Sequence, residues 1–212
     1  ADLIKTHALA HEDCAVIEKY LTSPSDSIDT KATVINAAVA NGMDVSLEFV
    51  VRNILPVAGN ENTLSILDAY CSKKLVDDDV FRILNFACTC KDSKTAVGAL
   101  DCLKRGNQYV LVPSKTVIAM LSERDLTASD KISILDKLFE FKVEAKSVEA
   151  VMTNYLCFNQ DPVATRKEVI LYLLDKSPQL PTSTVQNYGL KCAVDGNEKP
   201  AIVKAIFDKG RN

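Results

Sequence analysis

Ser114-Lys115-Thr116-Val117-Ile118-Ala119-Met120-Leu121 is followed by a polar loop, 122–127, and then by Lys131-Ile132-Ser133-Ile134-Leu135-Asp136-Lys137-Leu138. In both runs the apolar residues return at three- and four-residue intervals, the period of a helix with one buried face, and no alternation argues for a strand. Two such helices joined by a short loop cannot bury their apolar stripes alone. Stacked on neighbours of the same kind, they share a continuous core.

The rest of the chain supplies those neighbours. First helices are expected to open near Glu12, Ser46, Asp79, Lys115, Ser147 and Ser183, a spacing of about 34 residues, with 1–11 as a capping segment. The second helices carry matching stripes: Val34-Ile35-Ala38-Val39, Ile66-Leu67-Tyr70-Cys71 and Ala96-Val97-Leu100-Leu103. Further on come Ile134-Leu135-Leu138-Phe139, Val169-Ile170-Leu173-Leu174 and Ile202-Val203-Ile206-Phe207. Asn62, Ser93, Ser129 and Asp161-Pro162 are placed to cap these helices, and Pro200 suits a first turn. Asn41-Gly42, Arg105-Gly106 and Lys209-Gly210 read as stops, glycine supplying the left-handed residue beyond the helix. Pro113 and Pro181 separate successive units. The expected fold is all-α: a solenoid of about six helix-turn-helix repeats forming one domain over 1–212, with a globular helical bundle as the competing architecture.

The chain of 212 residues is 47% hydrophobic and 25% charged, with a net charge of −3, so it can build a core and projects no overall basic field. The longest apolar run, 169–174, is far short of the roughly 18 residues a bilayer requires, so no membrane insertion is expected. Seven cysteines, at 14, 71, 88, 90, 102, 157 and 192, cannot all pair, and most fall among apolar residues. Free buried thiols in a reducing compartment, cytoplasm or mitochondrion, are the expectation. The start, Ala1-Asp2-Leu3-Ile4-Lys5, has no signal-peptide pattern, and the lack of an initiator Met reads as a processed or excised fragment.

Candidate chemistry is sparse. His7, His11 and Cys14 share one helical face and form a possible zinc triplet, though no fourth ligand is specified and Cys14 also falls on the apolar face. Cys88 and Cys90, with Cys71 and Cys102 nearby, lack metal-knuckle spacing and read as core. Asp77-Asp78-Asp79 sits at a helix start, where carboxylates complement the dipole. No Gly-x-Ser-x-Gly, phosphate-binding loop or histidine beside a nucleophile is present, so neither enzymatic activity nor a cofactor is expected. Residues 1–30 carry two lysines against six acids, while 199–212 are basic. Lys73, Lys74, Arg82, Lys91, Lys94, Lys104 and Arg105 are candidates for a basic stripe on the third unit, although solvated helix faces explain most such runs.

The 34-residue two-helix unit resembles the pentatricopeptide repeat, best over residues 113–146 and more degenerately over about 12–212; the tetratricopeptide repeat fits less well. The resemblance implies right-handed superhelical stacking, often in organelles and often on single-stranded RNA. In that family the fifth residue of each first helix helps to read a base. Here those residues are Val16, Val50, Ile83, Ala119, Val151 and Asn187, and only Asn187 can hydrogen-bond a base edge. The functional expectation is therefore a non-enzymatic scaffold that docks a protein partner in a larger assembly. The alternative is a single-stranded RNA-binding array in organelle RNA processing or translation, using Asn187, Lys73, Lys74, Arg82, Lys104 and Arg105.

Overall fold

The computed structural model describes residues 13–108, 111–143, 150–152, 154–155, 161–176, 200, 203–204 and 207–208. The chain is mostly helical, and the all-α class is borne out. It divides into two compact units, Ala1–Ala87 with Lys94–Val110, and Cys88–Ser93 with Leu111–Asn212.

In unit 1, α1 (Asp13–Thr22) and α2 (Ile28–Ala40) form the first pair, and α3 (Leu47–Asn53) and α4 (Asn60–Cys71) the second. A 3-10 turn at Leu55–Val57, with Pro56 in its first positions, separates α3 from α4. The third pair is α5 (Asp77–Thr89) and α6 (Ser93–Arg105), with Cys88–Ser93 belonging to unit 2. Unit 2 continues through β1 (Leu111–Val112), α7 (Ser114–Leu121), α8 (Ala128–Glu140), β2 (Lys142–Val143) and α9 (Val163–Lys176). Every described helix start lies within a few residues of its expected place, because the apolar periodicity and the loop polarity agree.

The stripes are the core. Val34, Ile35, Ala38 and Val39 of α2 and Ile66, Leu67, Tyr70 and Cys71 of α4 are buried, and α2 packs directly on α4. In α6 the buried set is Thr95, Ala96, Ala99, Leu100, Cys102 and Leu103, while Val97 is half-buried, so the stripe is rotated slightly from the expected one. In unit 2, Ile134, Leu135 and Leu138 of α8 are buried, and α8 packs against α9, where Val169, Ile170, Leu173 and Leu174 are buried. Phe207, expected on an inward stripe, is exposed.

The helix ends refine the expected caps. Ser27 caps α2 by accepting from the Thr30 N–H, and Asn41 and Gly42 end it, Gly42 at φ 82°. The cap of α8 is Thr127 rather than Ser129: its hydroxyl accepts from the Asp130 N–H and the Asp130 carboxylate returns to the Thr127 N–H, a closed capping box. Gly106 does follow α6, but the left-handed residue there is Asn107, at φ 56°. Gly106 is needed for another reason: a Cβ at this position would overlap the Cys71 carbonyl.

The strand content escaped the helical periodicity. Leu111 and Val112 pair in parallel with Lys142 and Val143, a two-residue ladder between two interhelix loops of unit 2. Two residues are too few to leave an alternation in the sequence.

Candidate functional site

Three loops of unit 1 precede or follow the helical pairs, and the first two frame a groove of ≈ 570 Å³. One wall is the end of α2 with residues 42–48; the other is the end of α4 with residues 73–76 and the start of α5. Its floor is apolar, from Val39, Val45, Leu47, Tyr70 and Leu75. The Tyr70 hydroxyl donates to the Val45 carbonyl at 2.8 Å and Lys73 Nζ to the Val39 carbonyl, which tie the two loops at the base. Glu48, Asp79 and Arg82 complete the lining.

The expected basic stripe is partly compensated. Arg82 Nη1 pairs with Asp79 at 2.9 Å and Nη2 with Glu48 at 3.1 Å. Arg105 Nη2 pairs with Asp68 at 2.6 Å and also donates to the Cys102 thiol sulfur at 3.2 Å. The Asp68 carboxylate raises the Arg105 pKa further above its already high ordinary value, so the guanidinium stays charged and engaged. Lys91 pairs with Asp125 at 2.7 Å. Lys74 and Lys104 are exposed. Arg82, Lys91 and Arg105 thus each meet carboxylates of the described chain.

The aliphatic fifth positions have a packing explanation. Val50, Ile83 and Val151 are 0%, 0% and 1% exposed, whereas Val16 and Ala119 face solvent. A residue held in the core reads no base, so the frame transferred from the pentatricopeptide resemblance does not mark a surface on those helices. On α3 and α5 the outward residues include Arg52, Asn53, Asn85 and Thr89. Asn187 lies outside the described residues.

The thiols are buried and free where they are described: Cys71, Cys88 and Cys102 are inaccessible, and Cys90, just past the end of α5, is half-buried. Burial pushes the Cys71, Cys88 and Cys102 thiols up to about 12, which keeps them protonated and poorly nucleophilic at neutral pH. Among the described residues no group of three or more His, Cys, Asp or Glu is placed to hold a metal. His7, His11 and the Cys14 side chain lie outside that description. No described helix is long and apolar enough to cross a membrane.

The polar cluster that sequence reasoning missed is in unit 2. Lys131 is 0% exposed on α8, and its Nζ donates to the Leu121 carbonyl at 2.7 Å and to Asp161 Oδ2. The Tyr155 hydroxyl donates to the same carboxylate oxygen at 2.6 Å, and the ammonium lies 5.9 Å from the Tyr155 ring centroid. Burial is the main cause raising the Tyr155 pKa, with the Asp161 carboxylate adding to it. The cluster caps the end of α7 and joins α8 to the approach to α9. Asp161, expected as a simple helix cap, spends its carboxylate here. Every polar head in the cluster has a protein partner, which marks it as a structural staple.

No protein-family model, curated protein or solved structure matches the chain.

Proposed function

We propose that the chain is a non-enzymatic interaction module, a right-handed α-solenoid of about six 34-residue helical pairs similar to the pentatricopeptide repeat, which docks a protein partner within a larger assembly. One observation carries this reading: polar bonds recur between residues about one repeat apart. Arg82 bonds Glu48 across 34 positions, Arg105 bonds Asp68 across 37, and Ser93 bonds Asp130 across 37. Tyr172 bonds Asp136 across 36. Equivalent positions meeting at nearly constant separation are what stacking of like units produces, and stacking leaves extended surfaces for binding. The compensation of Arg82 and Arg105 by carboxylates favours a protein partner over a phosphate backbone.

The test is binding of the purified chain to a mixed-sequence single-stranded RNA at low and moderate salt, alongside affinity capture of protein partners at high salt. The expected result is no RNA binding and a captured partner that survives the salt. Micromolar or tighter RNA binding that weakens steeply with salt overturns the reading in favour of an RNA-binding array.

A further inference from the structure

Successive interhelix loops can be compared with one another inside each unit. Between residues 73–75 and 106–108 of unit 1 the gap is closed by the chain itself. Gln108 Nε2 donates to the Lys73 carbonyl at 2.7 Å, its Oε1 accepts from the Leu75 N–H at 3.4 Å, and Gly106 lies against the Cys71 carbonyl. In unit 2 the gap between residues 111–112 and 142–143 is closed by the parallel β1–β2 ladder. Between residues 42–46 and 73–76 neither device is present, and the space left is the groove of ≈ 570 Å³, within the range of about 300–1,000 Å³ usual for ligand sites.

Three features say what fits there. The N–H groups of Asp44, Val45, Lys74 and Val76, all lining residues, have no hydrogen-bond partner among the described residues, so the two loops leave main-chain donors unspent, of the kind an added strand satisfies. The floor of Val45, Leu47, Tyr70 and Leu75 accepts an aliphatic side chain. The charges divide into spent and unspent: Arg82 is held by Glu48 and Asp79, and Lys73 by the Val39 carbonyl. Asp44 on one wall and Lys74 on the other are exposed and make no ion pair among the described residues.

We infer that this groove takes an extended segment of the partner protein, which pairs with the loop main chain as β2 pairs with β1. Its central aliphatic residue rests on the Val45–Leu75 floor, and its neighbours, one basic and one acidic, reach Asp44 and Lys74. In a strand successive side chains alternate faces, so an apolar residue directed inward leaves both neighbours free to meet the rims. The inference rests on the protein-docking function proposed above and names where and how that docking occurs.

The test uses the full chain and two end-blocked peptides, Thr-Lys-Val-Glu-Thr and Thr-Glu-Val-Lys-Thr, followed by amide chemical shifts. One peptide is expected to move the amides of Asp44, Val45, Lys74 and Val76 in a saturable way. Asp44→Lys and Lys74→Glu, both at exposed positions, are each expected to weaken it about tenfold. The double reversal should recover binding of the peptide with the opposite charge order. Failure of both peptides to move these amides at millimolar concentration overturns the inference, as does binding that ignores both reversals. Saturable shifts elsewhere on the chain overturn the groove assignment and leave protein docking standing. Salt-sensitive RNA binding in the preceding experiment overturns the docking reading itself.

Discussion

In unit 1 the charged pairs that link successive helical pairs reach solvent, as in the Arg105–Asp68 pair, whose side chains are 59% and 54% exposed. Unit 2 also has exposed links, but it buries one charged pair: Lys131 and Asp161 are 0% and 4% exposed. The two devices do different physical work. A solvated pair gains little because water competes for both partners. A buried pair whose every head is satisfied adds little or no net stability over an apolar filling, because desolvation offsets the attraction, yet it punishes any arrangement that leaves one head unmatched. Unit 1 therefore relies on continuous apolar packing, from α2 onto α4, while unit 2 adds a polar staple that fixes how the end of α7, the body of α8 and the approach to α9 meet.

The largest expected effect is on that staple. Lys131→Ala should cost about 3–5 kcal/mol in urea unfolding, because it strands the Asp161 carboxylate in the core. Combining Lys131→Met with Asp161→Asn should cost clearly less than Lys131→Ala, since no uncompensated charge then remains. Equal losses would show that the site is not behaving as a buried ion pair. Next comes Gly106→Ala in unit 1, expected to lose about 1–3 kcal/mol as the new methyl drives α6 away from the Cys71 carbonyl. A neutral result would mean that the two segments separate freely. Thr127→Ala, which opens the capping box of α8, should lower stability by about 1 kcal/mol.

Arg105→Ala sharpens the contrast between the units from the other side. Its surface pair should be worth about 0.2–1 kcal/mol, and a loss near that of Lys131→Ala would break the comparison. The smallest effect is electrostatic. The Ser93 hydroxyl, with Thr127, holds the Asp130 carboxyl below its ordinary 3.8, and the Tyr172 hydroxyl, with Lys176, does the same for Asp136. A depressed folded pKa contributes stability that is present above the ordinary carboxylate value and lost as pH falls through the folded one. Unfolding midpoints should therefore drop slightly below pH 4, and Asp130→Asn should remove part of that acid dependence.

Much of this organisation was legible beforehand, for definable reasons. The stripes of α2, α4, α8 and α9 were readable because burial on one helical face repeats every three to four residues, within the reach of a short window. Asn41-Gly42 was readable because a left-handed residue after a helix strongly selects glycine. Gly106 fitted the same pattern while serving another purpose, since a stop glycine and a close-approach glycine are identical in sequence. Ser129 and Thr127 are both competent caps, and only the backbone register of α8 selected between them. Lys131 looked like one more charge on an amphipathic helix. Nothing local says that a carboxylate 30 positions on and a carbonyl ten positions back converge on its ammonium. The groove was equally hidden, because its walls come from loops whose residues carry no periodic signal.

The sequence alone determined the helices, their approximate limits and the faces they bury, because those follow from short-range periodicity and capping chemistry. Tertiary structure alone decided which charges are spent and which are left over. Arg82 and Arg105 read in the sequence as unpaired charges, and folding brings Glu48, Asp79 and Asp68 beside them, while Asp44 and Lys74, exposed on the two walls of the groove, make no ion pair among the described residues. The physical reason is range: helix periodicity acts over one or two turns, whereas the pairing of charges here acts between residues roughly one repeat apart, whose meeting depends on how the helices pack.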